Sequence, residues 1–187
     1  MQQTIAAIFA DSIAAKQQFL RDYGNALVQA TEEVVRTLQS GGKILLFGNG
    51  GSAADAQHIA AEFVNRYVIE RPPLPAIALT TDTSALTSIA NDYGVVDLFA
   101  KQIHALGKAG DVAIALSTSG NSPNVLRALD VCREVGIRTI GLTGGTGGEM
   151  AGRVDHFLCV AATRMTPRIQ EVHILSLIHI SEPTRPY

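Results

Sequence analysis

Short, mostly apolar runs that pass through small polar residues directly into helix-period segments recur along this chain. Lys43–Gly48 leads through Asn49-Gly50-Gly51-Ser52 into a helix read from about Ser52 to Tyr67. Asp111–Ser117 leads through Thr118-Ser119-Gly120-Asn121-Ser122 into a helix over Pro123–Val135, with Pro123 in its first turn. Ala76–Leu79, Arg138–Thr143 and His156–Val160 read as further strands, and Ser84–Ala90, Leu98–Leu106 and Arg168–Ile180 as further helices. A strand that is apolar at successive positions buries both faces, the mark of a parallel sheet covered by helices on each side. The expected fold is therefore α/β, a doubly wound three-layer sandwich around a central parallel sheet. Ligands of such sheets bind beyond the carboxyl ends of the strands, and both small-residue loops fall there.

At 187 residues the chain suits one domain. N-terminal helices are placed at 1–40, the sheet domain at 41–175 and an atypical tail at 176–187. Within 4–39, apolar residues at three- and four-residue spacing (Ile5, Ile8, Phe9, Ile13; then Ala26, Leu27, Ala30, Val34, Leu38) predict two helical segments with a break at Tyr23-Gly24. These helices need a surface to pack on, either the following domain or another subunit. Hydrophobic residues make up 47% and charged residues 17%, with mean hydropathy +0.18, so much helix and strand surface must be buried. The net charge of −2 and the lack of any Lys/Arg run argue against a nucleic-acid partner. The N-terminus lacks a signal-peptide pattern, and no apolar stretch reaches the ~18 residues of a membrane span. With Cys132 and Cys159 isolated, a cytoplasmic protein with reduced, buried thiols and no membrane association is expected.

The first loop, Gly48 to Ser52, offers glycines that admit close backbone approach, unpaired N–H groups at a helix start, and the Ser52 hydroxyl. It lacks the spacing of a dinucleotide fingerprint and the lysine of a nucleotide P-loop, and a plain connecting turn would look much the same. The second loop is more telling. Ser117, Thr118, Ser119 and Ser122 put four hydroxyls within six residues at a helix start, where one suffices as a cap. A phosphate monoester accepts several hydrogen bonds at once and suits such a loop. No strong cation lies in it, so neutral donors would hold the anion.

On the helix after the first loop, Asp55, His58 and Glu62 fall at i, i+3 and i+7 and share a face, with Arg66 four residues beyond and Gln57 on a neighbouring face. His58 and Glu62 could ligate one metal or orient each other for proton transfer, while a solvated face with an ordinary Glu62–Arg66 pair is the competing reading. Arg168-Ile169-Gln170-Glu171-Val172-His173 gathers a cation, an amide, a carboxylate and an imidazole in one amphipathic stretch. His104, His156 and His173 read as structural or surface residues.

Together these pieces resemble a family. Gly48-Asn49-Gly50-Gly51-Ser52, Asp55-Ala56-Gln57-His58 with Glu62, Asn65-Arg66-Tyr67, Arg71-Pro72, Ala90-Asn91-Asp92, Ser117–Ser122, Leu142-Thr143-Gly144 and Arg168–His173 occur in the order found in SIS (sugar isomerase) domain proteins, specifically phosphoheptose isomerases. The likeness spans about residues 3–175. It implies interconversion of a ketose and an aldose phosphate, D-sedoheptulose 7-phosphate and D-glycero-D-manno-heptose 7-phosphate, by proton transfer between C1 and C2 through an enediol. It also implies heptose supply for lipopolysaccharide precursors. Glu62 matches the catalytic base. Ser52, Ser117, Thr118, Ser119 and Ser122 match the phosphate cradle, and Asn49, Asp92 and Gln170 match other substrate-contacting positions; Gly50, Gly51 and Arg66 are further candidates for substrate binding. Some members bind zinc through positions matching His58, Glu62 and Gln170, plus a histidine on the last helix. Family members are homotetramers, built partly through their N-terminal helices.

The end of the chain departs from the pattern. The family's second catalytic group is a histidine eight residues after the position of Gln170, where this chain has Ile178; His179 is the nearest. One residue turns a helical side chain by ~100°, so His179 falls out of register. From about Ser176 the sequence reads as translated adapter or vector sequence. A non-catalytic SIS protein that binds the replication initiator, or a sugar-phosphate sensor, is the competing functional reading. Neither needs a carboxylate at Glu62, which this chain keeps beside His58.

Overall fold

The structure, a computed structural model, describes residues 1–68 and 70–181, with residues 178–181 described only by their place in the last helix. Five strands, β1 (Ile44–Gly48), β2 (Ala76–Ala78), β3 (Val112–Leu116), β4 (Arg138–Gly144) and β5 (His156–Val160), form one parallel sheet in the order β2-β1-β3-β4-β5. Helices α1 (Gln2–Gln39), α2 (Gly51–Val64), α3 (Thr83–Asp92), α4 (Ala100–Leu106), α5 (Pro123–Val135) and α6 (Thr166–Ser181) surround it. This is the expected doubly wound α/β sandwich.

Strand pleating sorts the apolar runs into two cores. Ile44, Leu46, Ile114, Leu116 and Leu142 face α1, α2 and α6, meeting Phe19, Val34, Ile59, Phe63, Ile169 and Val172. Leu45, Phe47, Ala113 and Ala115 point the other way, toward Phe99 and Ile103 of α4 and Val125 and Leu129 of α5. Because every residue of β1 and β3 is buried, neither strand shows a polar side.

Several boundaries differ from expectation, each for a local reason. The break at Tyr23-Gly24 does not occur: α1 is a single 38-residue helix. Tyr23 stacks on Phe19 at 5.7 Å and meets Phe157 edge-on at 6.2 Å, packing that offsets the ~1 kcal/mol a helical glycine costs. Helix α2 stops at Val64 instead of Tyr67, because Arg71 folds back and donates to the carbonyls of Glu62 (2.8 Å) and Phe63 (2.9 Å), satisfying the end of the helix. The helix expected over 98–106 starts two residues later, as α4, and a separate 3-10 turn, Val95–Asp97, precedes it. A further 3-10 turn, Gly148–Gly152, was not legible in the sequence. The described residues contain no helix long and apolar enough to cross a membrane. Cys132 and Cys159 are free and buried, and burial pushes the Cys132 thiol up to about 12.

Helix α6 is fixed from within. His173 is fully buried, and its Nε2–H donates to the carbonyl of Thr143 at the end of β4 (3.0 Å), while its buried Nδ1 has no partner among the described residues. Ser176 and Leu177, at the start of the atypical tail, are also buried, and the Ser176 hydroxyl donates to Val172 O (2.8 Å). Burial lowers the His173 pKa from 6.5 to about 4, so the folded state holds it neutral. The unfolded chain then binds the extra proton first as pH falls, and stability drops through the window between those two values. Denaturant titration at pH 7 and pH 5 should show a loss of about 2 kcal/mol from this residue, and His173→Gln should have a shallower acid dependence than the parent.

Candidate active site

With β1 and β3 adjacent and their following helices on opposite faces of the sheet, the topology has its switch point between these two strands. Gly48 pairs in register with Leu116, so the loops 48–52 and 117–122 leave the sheet side by side. A Cβ on Gly48 would stand 2.7 Å from Leu116 O and 2.9 Å from Ser52 Cβ, so this close approach requires glycine. Gly50 caps α2 with φ +57°, again a glycine conformation. The N-termini of α2 and α5 thus open on one crevice, and both ends favour an anion.

The side chains join the loops. Asn49 and Asn124 exchange amide hydrogen bonds of 2.9 and 2.8 Å, tying the first loop to α5. Asn124 is buried, and its Oδ1 also accepts from the backbone N–H of Val125 (3.0 Å). Sequence reasoning missed Asn124, since an asparagine in a first helical turn gives no signal of a partner 75 residues away. Ser52 and Ser117 are buried, Thr118 half-buried and Ser119 exposed. Ser122 precedes α5 but makes no side-chain cap bond; its hydroxyl lies 3.0 Å from that of Ser117. The hydroxyl surplus seen in the sequence is therefore present as a cluster rather than spent on capping.

A third loop, after β4, braces the second. Met150 N–H donates to Gly120 O (3.0 Å) and Glu149 N–H to Asn121 Oδ1 (2.9 Å). Gly120 has φ +67°, and a Cβ there would run into the carbonyl of Gly147 and stand 2.8 Å from Thr143 Oγ1.

On α2, His58 Nε2 lies 3.3 Å from Glu62 Oε1; the His58 side chain is 52% exposed and that of Glu62 20%. Asp55 is half-buried and one carboxylate oxygen is buried without a partner among the described residues; burial raises its pKa, against the pull of His58. Gln170 of α6 packs against Gly51, where a Cβ would collide with its amide. At 1.5 Å per residue, Gly51 is roughly 10 Å along the helix axis from His58 and roughly 16 Å from Glu62. His58 and Glu62 thus form an adjacent donor pair, and Gln170 lies over the first turn of the same helix. Their 3.3 Å separation suits two corners of a tetrahedron with bonds of about 2.1 Å. Among the described residues no three His, Cys, Asp or Glu side chains are grouped to hold a metal.

Two expected residues are not drawn to the crevice by any hydrogen bond. Arg66 Nε pairs with Glu70 at 3.0 Å on the surface, and the exposed Asp92 accepts from Asn91 (2.8 Å). The backbone at 179 belongs to α6, which is α-helical from Thr166 to Ser181. The side chain of His179 lies outside the described residues.

A glycine-lined crevice at a switch point, two helix N-termini and a hydroxyl cluster define a phosphosugar-binding α/β domain. The chain matches the SIS domain over residues 8–144. It is 54% identical to a phosphoheptose isomerase of Aromatoleum aromaticum over 92% of this chain and 88% of that one, and 48% identical to one of Thermodesulfovibrio yellowstonii over 96% and 89%. The solved phosphoheptose isomerase of Neisseria gonorrhoeae superposes with a TM-score of 0.91 at 48% identity, covering 97% of this chain and 96% of that one. The chain belongs to the phosphoheptose isomerases of the SIS-domain family.

The shape of the second loop depends on Gly120. Gly120→Ala should weaken binding of inorganic phosphate about tenfold or more, through the left-handed backbone and the loop shift it forces. Calorimetric titration reads the affinity, and an unchanged circular dichroism spectrum would confine the effect to the loop.

Proposed function

We propose that this protein converts D-sedoheptulose 7-phosphate to D-glycero-D-manno-heptose 7-phosphate. The observation that carries this is the half-buried Glu62 carboxylate on the same helix whose N-terminus helps to form the anion crevice. The phosphoryl group sits at the hydroxyl cluster of Ser117, Thr118, Ser119 and Ser122 with Ser52, and the Gly50-Gly51 backbone adds donors. The sugar then extends along α2. Glu62 lies roughly 16 Å down the axis from Gly51 and its side chain reaches back toward the helix start.

The Glu62 carboxylate removes a proton from C1 of the ketose as O2 gains one, giving the enediol, and returns its proton to C2 as the O1 hydroxyl gives one up, yielding the aldose. No atom is gained or lost. Asn49, Gln170, Arg66 and Asp92 are assigned to sugar contacts, Arg66 and Asp92 after a movement that frees them from their present partners. A bound zinc would be held by His58, Glu62 and Gln170, and would supply polarisation of the sugar's oxygens. A protein that merely bound the replication initiator or sensed a sugar phosphate would have no use for this base.

We assign the protein to the cytoplasm, to lipopolysaccharide precursor synthesis and to a homotetramer, without a nucleic-acid partner. The tetramer is supported by the outward face of α1, where Ile5, Phe9, Ile13 and Leu20 are 50–66% exposed, a row of apolar side chains that one chain leaves uncovered.

NMR of aldose formation from sedoheptulose 7-phosphate tests the reaction in the chain as given, in Ile178→His and in Glu62→Gln made in each. Turnover should fall by about 10²–10⁴ in Glu62→Gln, with phosphate binding intact. Activity in Ile178→His alone would assign the deficit of the parent to the register of its last helix. Silence from all variants despite phosphosugar binding would defeat the enzyme reading. Metal analysis of protein purified with added zinc should show it in the parent and not in His58→Ala.

A further inference from the structure

Resting on the phosphosugar reading of the crevice, we propose that Arg164 is the cation of the phosphate site, closing the charge balance that the hydroxyl loop leaves open. The loop itself carries no cation: Ser117 to Ser122 supplies neutral donors only. A sugar phosphate near pH 7 carries about −1.5 to −2 charge, so neutral hydrogen bonds and helix ends leave much of it uncompensated. Arg164 lies in the connection between β5 and α6 and lines, with Thr118, Ser119 and Thr146, a cavity of about 230 Å³ beside the cradle.

Its placement is built, although the residue is exposed. The side-chain stem rests over the loop after β4, with Cγ 3.6 Å from where a Cβ of Gly145 would be. The Thr163 hydroxyl accepts from the N–H of Met165 (3.0 Å), bending the backbone around Arg164. Ile169 N–H donates to Met165 O (3.1 Å), and Ile169 packs on Gly144 so closely that a Cβ there would collide. The segment is thus anchored on the side that follows Arg164.

Every other arginine among the described residues is engaged by a carboxylate, a side-chain amide or a backbone carbonyl. Arg164 alone among them has no hydrogen bond and no ion pair. A guanidinium with its donors unspent, held beside two hydroxyl residues of the cradle, matches the geometry of a phosphoryl group. Arg164 is a binding residue distant from the reacting carbons, so its contribution is uniform in ground and transition states.

The test compares the parent with Arg164→Gln and Arg164→Lys, each a full chain, by calorimetric titration with inorganic phosphate at low and high salt. Where Ile178→His restores turnover, the same substitutions are assayed in that background. Arg164→Gln should weaken phosphate binding about tenfold and flatten its salt dependence, and Arg164→Lys should recover part of the loss. In the turnover assay KM should rise with kcat unchanged. An Arg164→Gln protein that binds phosphate as tightly as the parent, with the same salt dependence, would overturn the assignment whether or not the parent turns over. So would a parent that binds no phosphate. Loss of turnover with phosphate binding and its Arg164 dependence intact would instead overturn the isomerase reading and leave this one standing.

Discussion

Parallel pairing of β1 with β3 is the contact on which the rest of the structure depends. Gly48 stands opposite Leu116 so closely that neither side chain nor loop could intervene. That approach places two helix starts at one crevice, and their partial positive charges add where a single helix would offer only one. Both strands are buried along their whole length, so their register is held by the two cores as well as by the ladder. A slip of one residue would exchange the sets facing α2 and α5 and separate the loops.

The crevice is held in shape by polar groups that bind each other. The reciprocal Asn49–Asn124 pair spans the two loops, and Asn121, Gly120 and the turn at 148–152 lock the second loop from the far side. Preorganisation of this kind matters more for neutral donors than for charged ones. A hydroxyl that must first be oriented contributes little net binding. The Ser117–Ser122 contact shows the cost being met within the loop itself, with one hydroxyl orienting the other.

The sheet and the anion loops were legible because they are encoded locally. Apolar runs four to seven residues long specify buried strands, and β5 and α5 have the bounds read from sequence alone. What escaped was encoded at a distance. The end of α2 is set by Arg71, which reaches back to Glu62 and Phe63. The continuity of α1 through Gly24 is set by Tyr23, which stacks on Phe19 and meets Phe157 of β5 edge-on. Asn124 and Arg164 carried no motif, because their meaning lies in what the fold brings beside them. The adjacency of His58 and Glu62 followed from their spacing, yet the position of Gln170 at Gly51 needed the packing of α6 on α2.

Helix α6 shows that fold and chemistry make different demands on one segment. Its attachment uses His173 on Thr143 and the burial of Ile169, Val172 and Leu177, contacts that ask only for apolar or hydrogen-bonding character at helical spacing. Those demands are met into the atypical tail, so the helix persists there. A catalytic imidazole asks for more, since a displacement of one residue rotates it by ~100° and moves it along the axis by ~1.5 Å. Packing tolerates such an exchange, because Leu177 fills its space whatever follows. Proton transfer does not, because it requires the donor within hydrogen-bond reach of the sugar. A chain can therefore keep the whole architecture of an isomerase, its phosphate cradle and its carboxylate base, while the register of the last two turns decides whether the second proton carrier is in place.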